Sequence, residues 1–178
     1  MTYHCFRIEY AMLLLFVISQ ALCRFEDNAY KTMSESWQTK PMVCLMNGVS
    51  FVSRPEFNAV NPAFSFFLDR DHLGKQDLVG FIVNWATVLP LKYFVNRQRP
   101  EGYCPRWNSS FPSGHTTFCF THAVILTHHY PELKVPMYLY ATTVGFSRIY
   151  LKKHYPTDVV IGAVLGILTG YLTIKLVE

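Results

Sequence analysis

Apolar and polar positions fall in long blocks along the chain, and the C-terminal half carries the clearest ones. Residues 78–95 form one apolar run, about 27 Å long as a helix at 1.5 Å per residue, with Pro90 expected to kink it just ahead of Lys92. A polar loop follows over 96–110. Residues 112–129 and 134–148 predict two further helices, the second richer in Tyr and Thr. Residues 159–174 are the most membrane-like stretch, and Gly162, Gly166 and Gly170 recur there every four residues. Such a stripe of small residues lets neighbouring helices approach closely.

The N-terminal part is less regular. Residues 11–22 are apolar, but a dozen residues fall short of the roughly 20 a spanning helix needs. Residues 1–23 therefore read as a signal peptide or a first membrane helix, and 24–178 as the domain proper. Small residues at Ala21 and Cys23 suit a cleavage site; Glu9 does not suit the leading segment of a signal peptide. Ser34 or Ser36 could cap a short helix, residues 41–52 are broken by Asn47-Gly48, and residues 57–68 by Pro62. The whole pattern predicts an all-α fold, an antiparallel bundle of about five to six helices embedded in a membrane.

Composition supports that environment. Hydrophobic residues make up 51% of the 178 and charged residues 16%, well under the usual quarter for soluble domains. The net charge is +4, and much of the positive charge gathers at Lys92, Arg97, Arg99, Arg106, Arg148, Lys152 and Lys153. No basic run with interleaved aromatics points to nucleic acid, so an anionic ligand explains that charge better than nucleic acid does. The five cysteines lack metal-binding spacing; Cys44 and Cys104 are candidates for a bridge.

Three short stretches carry the chemistry. The segment SRIYLKKHYPTD places Arg148, His154 and Asp158 just before the last apolar run. KYFVNRQRP sets Lys92 and Arg99 seven apart with Pro100 next, and FPSGH contains Ser113, Gly114 and His115. Arg supplies a planar fork of donors for phosphate oxygens, and a neutral His beside a carboxylate is a usual activated base or nucleophile. Pro112 suits a first helical position, which would aim the N–H groups of Ser113 and Gly114 at an anion. The first motif ends one helix, the second begins the next, and the third spans a helix end and a helix start, so an antiparallel bundle brings all three to one face.

Together these stretches resemble the signatures of the type 2 phosphatidic acid phosphatase superfamily: K-x6-R-P, P-S-G-H and S-R-x5-H-x3-D, all met in order between Lys92 and Asp158. The resemblance implies that His154 is the nucleophile, that Asp158 orients it, and that His115 protonates the leaving oxygen and then activates water. Lys92, Arg99, Arg148, Ser113 and Gly114 would hold the phosphate. No metal or cofactor is implied, because three cations and two amides take the place of a metal. The implied substrate is a phosphorylated lipid such as a phosphatidate or prenyl diphosphate, at a site facing the extracytoplasmic side of a multi-pass membrane protein. The superfamily also contains soluble exported acid phosphatases of broad specificity, the alternative expectation, and much longer vanadate-dependent haloperoxidases.

Each residue also has a plainer reading. Asp158 suits the start of a helix by charge alone, Lys92 and Arg99 could snorkel, and His115 could be structural; their joint order is what favours a site. His115, Cys119 and His122 share a helical face, but His115 already has a role and no fourth zinc ligand is evident. His128-His129 complements a helix end. Asn108-Ser109-Ser110 spells a glycosylation sequon, though its place beside the motifs favours a loop or cap. Lys152 and Lys153 are either a solvated pair or a phosphate-attracting pair at the site mouth.

Overall fold

The computed structural model describes residues 26, 28, 30–32, 35, 37–54, 60–68 and 72–177. The leader or first helix expected over 1–23 and the capping serines Ser34 and Ser36 lie outside the described residues. Six helices are described: α1 (Lys40–Val52), α2 (Val60–Leu68), α3 (Leu73–Val95), α4 (Gly114–His129), α5 (Lys134–Tyr150) and α6 (Pro156–Leu176). Short 3-10 turns at Arg106–Asn108 and Pro131–Leu133 complete the regular structure, and no strand occurs among the described residues.

Several sequence expectations are corrected. Asn47-Gly48 does not break α1, which runs unbroken from Lys40 to Val52; its packing on α5 outweighs local turn preference. Pro62 is the third residue of α2, inside the first turn, where a missing N–H costs nothing. Pro90 is not among these corrections: it lies inside α3, which runs on to Val95. Helix α4 begins at Gly114, with Ser113 as its N-cap, so Pro112 precedes the helix instead of opening it. Cys44 and Cys104 are free thiols and form no bridge.

The interior is more polar than the outer faces of the two longest apolar helices, α3 and α6. Along α3, Gln76, Asp77, Asn84 and Lys92 are buried, while Leu78, Ile82, Leu89 and Phe94 are exposed. Along α6, Val160, Val164, Leu168 and Leu172 face outward, and Asp158, Thr169 and Thr173 face inward. Exposed apolar area on this scale is unfavourable in water and matches hydrocarbon. Helices α3 and α6 are long and apolar enough to cross a membrane.

The glycine stripe sets the central contact. Among the described elements, α4 packs on α6 more extensively than any other pair, and a Cβ on Gly166 would collide with the Thr117 carbonyl oxygen. A Cβ on Gly162 would likewise crowd the Ser113 carbonyl oxygen, at 2.8 Å. The Thr121 hydroxyl donates across the same interface to the Gly166 carbonyl, at 2.9 Å. This close approach brings the first turn of α4 beside the first turn of α6, and so positions the site.

Candidate active site

Four helix ends and the 96–113 connection converge at one end of the bundle. An inner cavity of about 160 Å³ is lined by Lys92 of α3, Arg99 and Asn108 of the connection, Gly114 and His115 of α4, and His154 of the α5–α6 turn. Its remaining wall is apolar and includes Trp85, Leu89 and Phe118. Arg99, Asn108 and His115 also line an outer groove of about 870 Å³, which adds Arg148, Lys153, Ser50, Arg54 and Glu101. The two spaces therefore adjoin, with these three residues at their common wall.

His154 is 99% removed from solvent, and its Nδ1 lies 2.7 Å from the Ser110 carbonyl oxygen. A carbonyl can only accept, so Nδ1 carries the proton and Nε2 keeps a lone pair. Burial, followed by the Arg148 and Lys92 cations, holds the imidazole below its ordinary pKa, with Asp158 acting in the opposite direction. The ring is thus neutral near pH 7, as a nucleophile must be.

Asp158 corrects one sequence expectation. Its Oδ2 stands 3.8 Å from His154 Nδ1, too far for a hydrogen bond. Instead Oδ2 accepts the Ser110 hydroxyl and the Tyr155 N–H, while Oδ1 accepts Arg97 Nη1 at 2.8 Å. The carboxylate closes a capping box at the start of α6, which draws it toward the helix terminus. It orients His154 at one remove, through Ser110, and acts on the ring as a nearby negative charge.

The cations are anchored individually. Lys92 Nζ donates to the Ser109 carbonyl at 2.6 Å, and the Ser109 hydroxyl returns a bond to the Lys92 carbonyl. Arg99 donates through Nε and Nη2 to the backbone and side-chain oxygens of Asn108. Arg148 is 95% buried; its Nη1 donates to the Ser50 hydroxyl and its Nε has no partner among the described residues. Arg148 and His115 meet at the outer groove. Ser113 differs from expectation, because its N–H donates to the Asp158 carbonyl at 3.0 Å and is not free for a ligand. Gly114 lines the inner cavity as the first residue of α4, where its N–H has no intrahelical acceptor.

Sequence reasoning missed Ser110, Asn108 and the structural use of Arg97. Arg97 bridges Asp158 to Glu26 and Thr157, and stacks over the Tyr155 ring at 4.0 Å. Its only sequence signal was its place among the basic residues of the first motif. Ser110 acts through a backbone oxygen, which no residue letter announces. Of the secondary candidates, His122 bonds Asp77 at 3.0 Å, with no cluster able to hold a metal among the described residues. Within the Asn108-Ser109-Ser110 sequon, both serines are fully buried.

Comparison with known proteins agrees with this picture. A family model described as the PAP2 superfamily matches residues 76–178. The chain is 36% identical over 100 residues to a lipid A 1-phosphatase of Porphyromonas gingivalis, covering 54% of this chain and 22% of that one. It is 34% identical over 106 residues to the undecaprenyl-diphosphatase BcrC of Bacillus subtilis, covering 57% and 54%. These matches thus span about half the length of BcrC and less of the first relative. Two crystal structures superpose on most of the chain. LpxE of Aquifex aeolicus gives a TM-score of 0.76 at 25% identity, covering 85% of this chain and 95% of that one. A transmembrane PAP2-type phosphatidylglycerolphosphate phosphatase of Bacillus subtilis gives 0.73 at 25%, covering 94% of each.

Proposed function

The chain belongs to the PAP2 superfamily, and from that premise we propose that it is a membrane phosphatase that cleaves a phosphomonoester or diphosphate of a lipid through a phosphohistidine. The observation that carries the reading is the 2.7 Å bond from His154 Nδ1–H to the Ser110 carbonyl. It leaves Nε2 as the nucleophilic atom, in a cavity shared with Lys92, Arg99 and His115.

In the first step Nε2 forms a bond to phosphorus while the bond from phosphorus to the leaving oxygen breaks. His115, protonated once the negative charge of the bound phosphate offsets the neighbouring cations, gives its proton to that oxygen. In the second, His115 takes a proton from water, the water oxygen attacks phosphorus, and the P–N bond breaks to release phosphate. Lys92, Arg99 and Arg148 stabilise charge on the equatorial oxygens, where most of the catalysis of phosphoryl transfer lies. Gly114 N–H adds a backbone donor at a helix N-terminus. Asp158 offsets the positive charge that His154 acquires on attack.

A lipid fits better than a small soluble ester. The inner cavity sets a cationic wall against Trp85, Leu89 and Phe118, which suits an amphiphile with its phosphate and chain at opposite ends. The named relatives include phosphatases of lipid A and of undecaprenyl diphosphate. We place the site on the extracytoplasmic side of a multi-pass protein, in keeping with the family resemblance. Phosphate release from phosphatidate, undecaprenyl diphosphate, phosphatidylglycerol phosphate and p-nitrophenyl phosphate, with chelator present, tests the proposal. Activity on at least one lipid should survive chelation and vanish in His154→Ala; full loss on removing divalent ions would contradict the mechanism.

A further inference from the structure

The outer groove carries more positive charge than one phosphoryl group needs. Among the described residues, Arg99, Arg148 and Lys153 line it together with Arg54, and Glu101 is the carboxylate set among them. Arg99 and Arg148 belong to the phosphate being transferred. Arg54 and Lys153 have no part in that chemistry, and they come from different elements, the end of α1 and the α5–α6 turn.

Glu101 occupies a telling position among them. Its Oε2 accepts from Lys153 Nζ, and its Oε1 lies 3.7 Å from Arg99 Nη1. One carboxylate thus spans a cation of the reaction centre and a cation outside it, and each end of the Glu101–Lys153 pair is 38% exposed. An ion pair so exposed contributes little stability, and an incoming anion can displace it at little cost.

We propose that this groove is a subsite for a second phosphate group of the substrate, with Glu101 as the counter-ion that this group displaces. The inference rests on the lipid-phosphatase reading above and narrows it to substrates with two phosphates within reach of each other. The group undergoing transfer sits in the inner cavity at His154. The second group lies between Arg99 and Lys153, where the Glu101 carboxylate rests in its absence. A phosphate offers more charge and more acceptor oxygens than a carboxylate, so the exchange favours the ligand.

The test compares matched substrates on the full-length protein in detergent micelles. One pair is a C15 isoprenyl monophosphate and its diphosphate, in which the two phosphates are joined directly. The other is phosphatidate and phosphatidylglycerol phosphate, in which a glycerol separates them. The readout is the ratio of kcat/KM for the two-phosphate member to that for the one-phosphate member. Lys153→Gln should lower that ratio about tenfold, the equivalent of about 1.4 kcal/mol, chiefly through KM. Glu101→Gln should raise it by removing the competitor. The pair that responds identifies which spacing the groove reads.

Ratios that stay constant in both variants, or that shift in the same direction in both, would overturn the subsite while leaving the phosphatase reading intact. No hydrolysis of any of the four lipids by the unaltered protein would overturn both.

Discussion

The back of the site and its mouth are built on opposite terms. Behind the proposed nucleophile, His154 Nδ1, the Ser110 hydroxyl and both Asp158 oxygens each have a partner, and Arg97 ties the group to Glu26 and Thr157. At the mouth, Arg148 Nε is buried without a partner among the described residues, and Arg99 and Lys153 share the Glu101 carboxylate. A satisfied network fixes one tautomer and one ring orientation before substrate arrives. Buried donors without acceptors are costly at rest, a deficit that the phosphate of the proposed function would repair. The back wall is thus organised for turnover and the mouth for binding.

That contrast breaks if variants of the two regions have the same kinetic signature. Arg97→Gln leaves Asp158, which is fully buried, without its cationic partner and loosens Ser110 and His154 behind the nucleophile. We expect kcat to fall roughly a hundredfold, the scale of a small misplacement of reacting groups, with KM little changed. A rise in KM alone would place Arg97 in binding and erase the distinction. Circular dichroism and melting in detergent separate this from loss of fold, since breaking a buried pair is destabilising.

The mouth should respond in the other parameter. Arg148→Lys keeps the charge but removes the fork that holds Ser50 and that the proposed function assigns to the phosphate. KM should rise roughly tenfold, at the low end of what a charged hydrogen bond contributes, with a smaller effect on kcat. An unchanged KM with a large loss in kcat would make Arg148 a transition-state group alone.

The sequence was most readable where one physical factor dominates. Apolar runs over 78–95 and 159–174 became α3 and α6, and the four-residue glycine spacing became the α4–α6 contact. The three motifs could be brought together on paper because each lies at a helix end. Reading failed where local preference met tertiary packing. Asn47-Gly48 favours a turn in isolation but lies inside α1, packed on α5. The family resemblance implied that Asp158 orients His154, yet Asp158 serves the first turn of α6 and reaches the imidazole through Ser110. The Ser113 N–H, expected to face the phosphate, is taken by the Asp158 carbonyl because α4 and α6 begin so close together. Backbone acceptors such as the Ser110 oxygen are present at every position, so only the fold reveals which one matters.

Trapping the intermediate tests the central claim most directly. Protein mixed with lipid substrate, quenched rapidly in base and digested should yield a phosphoryl group on His154, stable to alkali, labile to acid, and absent from His154→Asn. A phosphoryl group on another residue, or turnover with no covalent species in rapid-quench samples while His154→Asn stays active, would contradict the account.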